Sequence, residues 1–260
     1  MRTNVTRYED NIKLFKTALS KFGRVDHAVA NAGVLESGKW FDPELTLESV
    51  EKPETEKVIE VNLLGVLYFV RIALVYLREG RKEGEDKSIT LISSAAGFRD
   101  SPGLFLYQVT PSTLSHLLIL PAPTRDAIVS TADTWCQQSS KHALLGLLRS
   151  TRKTFHERDS VRVNAICPAI TDSAMTTNII ESFRTSGQAI NSTDDVAKHI
   201  VNLQVQQSLW GKAVYVEGGR GWEILEGIDR LMPEWMGEEP AERLRVHLAH
   251  VGQGAGWGVK

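Results

Sequence analysis

Between Asn11 and Phe22 the apolar positions are Ile12, Leu14, Phe15, Ala18 and Leu19, three and four apart, and Gly23 follows. That stripe predicts an amphipathic helix closed by a glycine. Residues 25–30 form a short apolar run into Asn31-Ala32-Gly33, which predicts a buried strand and a turn. Residues 58–77 are apolar nearly all round, as in a helix covered on more than one side. The stretch is long enough to span a bilayer, but Glu60, Asn62 and Arg71 within it favour a core helix. Further strands are predicted over 88–93, 161–167 and 213–216, and further helices over 139–155 and 194–206. Ser192 or Thr193 is placed to cap the last helix.

Strand and helix in alternation imply right-handed crossovers and a doubly wound parallel sheet, an α/β Rossmann-like fold. From Trp222 onward there is no strand signal, so 1–221 reads as the α/β domain. Residues 222–260 read as short outer helices running into a glycine-rich flexible tail.

Composition narrows the function. A net charge of −2 gives no basic field for nucleic acid. Cys136 and Cys167 cannot build a disulfide framework, and no Cys/His spacing resembles a metal site, so no metal is expected. The opening MRTNVTRYED lacks the apolar run of a signal peptide. A soluble, reducing, cytoplasmic setting without a membrane partner is the expectation.

The chemistry is carried by a pair that the chain interrupts. Leu106-Tyr107-Gln108 and Ser139-Ser140-Lys141-His142-Ala143-Leu144-Leu145-Gly146 would join into Tyr-x-x-x-Lys at the start of a helix if residues 109–138 were removed. Side chains four apart share a helix face, and a neighbouring ammonium lowers a phenol's pKa, giving an acid/base unit. As written, Tyr107 and Lys141 stand thirty-four positions apart.

Together with Asp26, Asn31-Ala32-Gly33, Asn62, Ser94 thirteen residues before Tyr107, Pro168-Ala169-Ile170-Thr171-Asp172-Ser173-Ala174-Met175 and Val216-Glu217-Gly218-Gly219, this pair resembles the short-chain dehydrogenase/reductase family in motif order. Ala30, Ala169 and Ser173 depart from the family's usual residues. The tail and the Trp40-Phe41-Asp42-Pro43 segment resemble fungal members akin to 15-hydroxyprostaglandin dehydrogenases.

The resemblance implies hydride transfer between a secondary alcohol or ketone and NAD or NADP, and a homodimer or tetramer. It implies Tyr107 as acid/base and Lys141 as its tuner and holder of the nicotinamide ribose. Ser94 would bind the substrate oxygen, and Asn62 would place a water that links Lys141 to solvent. Asn31 and Gly33 would face the adenine-side ribose, Ile170 and Ser173 the nicotinamide amide, and Ala32 and Pro168 would also contact the cofactor.

Two departures stand against activity. The family's opening strand, TGxxxGxG turn and helix have no counterpart, so the first βαβαβ half is expected to be all but absent. Residues 252–258 are glycine-rich but lack the flanking strand and helix of a dinucleotide loop. The thirty-residue block 109–138 begins with Val and ends with Gln, whose codons fit splice signals; with Ala132-Asp133 fitting a branch site, it reads as a retained intron. The expected function is a short-chain oxidoreductase inactive as this exact chain. The alternative is a non-catalytic relative that binds partners through helices 58–77 and 139–155.

Overall fold

The computed structural model describes residues 1–35, 44–99 and 135–252. Tyr107, residues 109–134 of the block and the glycine tail 253–260 lie outside them. A parallel sheet forms the centre. Helix α1 (Tyr8–Phe22) leads to strand β1 (His27–Ala30), and helix α2 (Lys57–Arg78) to β2 (Lys87–Ile92). A 3-10 turn (Ala95–Gly97) follows β2, then α3 (Trp135–Asp159) and β3 (Val161–Pro168). Two short strands, β4 (Thr171–Asp172) and β5 (Asn191–Ser192), flank α4 (Ile180–Thr185). Then come α5 (Thr193–Val205), β6 (Ala213–Glu217) and β7 (Arg220–Glu223), and finally α6 (Leu225–Arg230), α7 (Met232–Met236) and α8 (Glu238–Gly252).

The main sheet runs in the order β1-β2-β3-β6-β7, and only β6 and β7 pair antiparallel. The mostly parallel Rossmann-like expectation therefore holds, with three corrections. Trp222 and Glu223 belong to an edge strand rather than to a strandless tail. Gly218 (φ 54°) and Gly219 (φ 76°) do not merely end β6; they occupy left-handed backbone and turn the chain back as a hairpin.

The third correction concerns handedness. Helices α2 and α3 pack on the sheet face of Ile89, Leu91, Val163, Ala165 and Cys167. Helix α5 packs through Leu203 on the alternate face, against Ile166 and Val216. The strands keep advancing in one direction, so the β3-to-β6 crossover has the opposite hand to the two before it.

Each helix has a local cause. Gly23, at φ 73°, closes α1 by donating to the Leu19 carbonyl at 2.8 Å. Asn11 is fully buried and donates to the carbonyls of Val5 (2.8 Å) and Arg7 (2.9 Å), fastening the N-terminal segment to α1. Ser192 and Asp195 form a reciprocal capping box at the start of α5. At its other end the buried Arg162 guanidinium donates to the carbonyls of Leu203 and Gln204 (2.7 and 2.8 Å) while pairing with Asp86 at 2.6 Å. Helix α2 is long and apolar enough to cross a bilayer, but Val66, Val70, Ala73 and Leu77 are buried in the core. Helix α3 starts at Trp135, four residues before the expected Ser139. No proline or glycine stands between Arg125 and Lys141 to stop it from extending backwards.

Candidate active site

Lys141 is the centre. It projects from the first turns of α3 and is only 7% exposed. Its ammonium donates to the Ile92 carbonyl at the end of β2, at 2.9 Å. Among the described residues no carboxylate pairs with it. Burial brings its pKa down from 10.5 to about 8, opposed by the nearby Cys167 thiol. Cys167 is itself pushed up to about 12 by burial, against the pull of Ser93, Ser94 and Lys141. It is a neutral thiol, not a nucleophile, at ordinary pH.

Gly33 and Asn62 meet Lys141 from the other side. A Cβ placed on Gly33 would lie 3.4 Å from Asn62 Oδ1 and 3.7 Å from Lys141 Nζ, so the glycine leaves a gap bounded by both. Asn62 is fully buried. Its Oδ1 accepts from the Val34 amide at 2.8 Å, and its Nδ2 donates to the Val34 carbonyl at 3.0 Å. It sits where α2 widens into a π-helical stretch, Glu60–Leu64, a distortion frequent at functional sites. The two bonds fasten that stretch to the loop after β1, holding Gly33 in place.

The two adjacent serines after β2 divide their duties. Ser93, 3% exposed, donates from Oγ to the Lys141 carbonyl at 2.8 Å. Ser94 is half-buried at the strand end, and its Oγ accepts from the Ala96 amide at 3.2 Å, capping the 3-10 turn. Gly97 permits that approach, since a Cβ there would fall 2.5 Å from Ser93 Oγ and 3.0 Å from the Lys141 carbonyl oxygen. Ser93, Gly97 and Cys167 were not expected to matter. The signal available for Ser93 was the doublet itself: strand neighbours face opposite ways, so one of two serines must point inward.

The remaining expected residues divide into three groups. Asn31 and Ala32 line a cleft of about 310 Å³ at the C-terminal end of β1, with Met1, Thr3, Val5 and Val61. Pro168 ends β3, and the segment to Ser173 is tied down elsewhere. The Asn191 amide donates to the Ile170 carbonyl at 3.0 Å, and the Ser173 amide to Thr176 Oγ1 at 3.1 Å. Ile170 and Ser173 thus follow the strand carrying Cys167, but their hydrogen bonds do not run to Lys141. Tyr107 lies outside the described residues. In α3 the position one turn before Lys141 belongs to Gln137.

A family model described as short chain dehydrogenase matches residues 1–117 and 130–183. Between the two matched segments, 118–129 is unmatched and falls inside the block; residues 184–260 lie beyond the match. The chain is 25% identical to the short-chain dehydrogenase/reductase prx4 of Penicillium rubens, over 85% of this chain and 63% of that protein. It is 27% identical to the short-chain dehydrogenase/reductase ascJ of Acremonium egyptiacum, over 87% of this chain and 66% of that protein. The chain therefore spans less than two thirds of the length of either relative. Among solved structures, ElxO with NADP bound superposes with a TM-score of 0.58 at 22% identity, covering 84% of this chain and 76% of that one. A 3-oxoacyl-[acyl-carrier protein] reductase from Brucella melitensis in complex with NAD gives 0.62 at 17% identity, with the same coverages. At those identities the superpositions establish the fold.

Proposed function

The chain belongs to the short chain dehydrogenase family, and we propose that it is built to interconvert a secondary alcohol and its ketone with NAD or NADP. The observation that carries this is the meeting of Lys141, Gly33 and Asn62 around one gap. An ammonium has three N–H donors, and Lys141 gives one to the Ile92 carbonyl. The others can serve the hydroxyls of a nicotinamide ribose, and Gly33 leaves the space that a side chain would fill. The cleft beside Asn31 and Ala32 suits the adenine-side ribose, and Pro168, Ile170 and Ser173 would border the nicotinamide amide. The dinucleotide's phosphates have no such place: among the described residues no glycine-rich turn joins a strand to a helix N-terminus.

Bound NAD(P) supplies or accepts a hydride at its nicotinamide ring. The chain's own residues manage the proton and the orientation. Ser94 Oγ, at the open end of β2, would donate to the substrate oxygen. Lys141, positively charged below about pH 8, lowers the pKa of a phenol set one turn away on its helix. Asn62 Oδ1 accepts from Val34 and keeps a second lone pair for a water that relays protons between Lys141 and solvent.

In the chain as written the phenol of Tyr107 stands thirty-four positions before Lys141. Gln137 stands one turn before Lys141, and an amide neither takes nor gives a proton near neutral pH. We therefore propose that the 260-residue polypeptide itself has no measurable turnover, and that block 109–138 is a retained intron whose removal brings Tyr107 to that position. A cytoplasmic setting accompanies this reading.

A second reading, a non-catalytic scaffold, draws on one observation that the homodimer or tetramer of the first reading would share. Leu64, Leu67 and Val75 on α2 are 38%, 40% and 49% exposed along one helical stripe. Such a face suits a homodimer, or a tetramer built from it. Titration with NADH, read by energy transfer from tryptophan, separates the readings. Weak, saturable binding that is lost in Lys141→Met is the expected result. Equal NADH response in both proteins would leave the scaffold as the better account, and robust alcohol oxidation by the unaltered chain would overturn the proposed inactivity.

A further inference from the structure

One row of side chains crosses the sheet on the face that carries Lys141. Ser93, bonded to the Lys141 carbonyl, begins it. Buried Cys167 follows on β3, and Tyr215 on β6 lies in register with it. Trp222 lies opposite Tyr215 on β7. Register partners in a sheet share a face, so all four project to the same side. The outer half of this row is aromatic. Tyr215 stacks on Trp222 with ring centroids 5.8 Å apart, and Phe98 meets Tyr215 edge-on at 5.5 Å. Phe98 stands only four residues beyond Ser94. Helix α3 packs chiefly on β3, and Trp222 remains 45% exposed. A buried polar centre thus continues sideways into half-exposed rings.

We propose that Phe98, Tyr215 and Trp222 form an aromatic wall beside the Ser94 turn that selects a planar, ring-bearing alcohol or ketone over a saturated one. The wall's role as a substrate subsite rests on the dehydrogenase reading above. Stacked and edge-on ring pairs prefer a flat π partner to an aliphatic ring of similar size. The Tyr215 hydroxyl is engaged with Glu217, so the phenol presents its ring and not a free donor.

The test compares acetophenone with cyclohexyl methyl ketone, which share the methyl ketone and differ in the ring. Ligand-observed NMR on the full chain is expected to show acetophenone binding about three- to tenfold more tightly. The margin should disappear in Trp222→Leu and persist in Trp222→Phe. Phe98→Leu provides a second variant should Trp222→Leu fail to fold, and should narrow the margin. Equal affinities in the unaltered chain, or a margin that neither leucine variant changes, would overturn the proposal. NADH titration of the same samples keeps the two ideas apart. NADH binding without a ring preference sinks the wall alone, whereas no Lys141-dependent NADH binding sinks the dehydrogenase reading beneath it.

Discussion

Two lysines are buried at opposite ends of the sheet, and their surroundings explain why one holds the structure and the other suits chemistry. Lys87, 2% exposed, opens β2, where its ammonium meets Asp26 at 2.7 Å and the Val25 carbonyl at 3.0 Å. Asp26 is held down to about 2, chiefly by the Arg24 guanidinium, with Lys87 adding to it. Charge is met by charge, and the cluster pins β1 to the start of β2. Lys141, 7% exposed at the other end, has a carbonyl for a partner and no carboxylate among the described residues. Its positive form is left incompletely satisfied, which draws its pKa towards neutrality. A buried cation without a counter-ion is poor scaffolding, and it is well suited to share a proton or grip a neutral hydroxyl.

The sharpest way to exploit this contrast is to set a phenol one turn before Lys141. Deleting residues 109–138 sets Tyr107 one turn before Lys141, and Gln137→Tyr does the same within the helix as it stands. Either change should raise nicotinamide-dependent oxidation of a secondary alcohol from undetectable by on the order of 10²-fold or more, as positioned acid/base groups do. A steady-state assay with and without Lys141→Met checks it.

Next comes the pH dependence of folding. Between about pH 8 and 10.5 the unfolded chain keeps a proton that folded Lys141 has released. Stability should therefore rise with pH across that window, by on the order of 3 kcal/mol. Below about pH 8 both states are protonated and the contribution is flat. Denaturant titrations at several pH values should show the rise, and Lys141→Met should remove it.

The smallest effect belongs to the other lysine. Asp26→Asn leaves Lys87 buried beside a neutral amide, and with Asp26 about one-third exposed the loss should be about 1–2 kcal/mol at pH 7. Because Asp26 is held at about 2 when folded, its contribution is present above about pH 4 and fades as the pH falls towards 2. If Asp26→Asn and Lys141→Met respond alike to pH, the contrast between the two lysines is wrong.

Much of this was legible in the chain because periodicity and burial report the same thing. The stripe from Ile12 to Leu19 became α1, and the near-continuous apolar run became α2, buried against sheet and helix. Ser94, Asn62 and Lys141 stand out as candidates by residue type and order, and the structure brings Asn62 and Lys141 together around Gly33. Asn62's π-helical setting could not be read, since a widened turn leaves no trace in residue spacing. Strand β7 escaped notice because Arg220-Gly221-Trp222-Glu223 has no alternation, and its pairing comes from the Gly218-Gly219 hairpin rather than from propensity. The reversed crossover was hidden as well. It depends on which face α5 covers, and an amphipathic helix fits either.

That glycine hairpin has one more consequence. By folding β7 back on β6 it gives the sheet an outer edge built of Arg220, Gly221, Trp222 and Glu223, whose charges and glycine make it a poorer template for a further strand than the His27-Ala28-Val29-Ala30 of β1. Growth of the sheet has a direction as a result, like a polymer with one end capped. A strand can be added beside β1, where the described residues place none, but not at the far edge. Two chains meeting edge to edge through β1 would each present a closed side outward, so self-association there ends at a pair and cannot run on into a fibre.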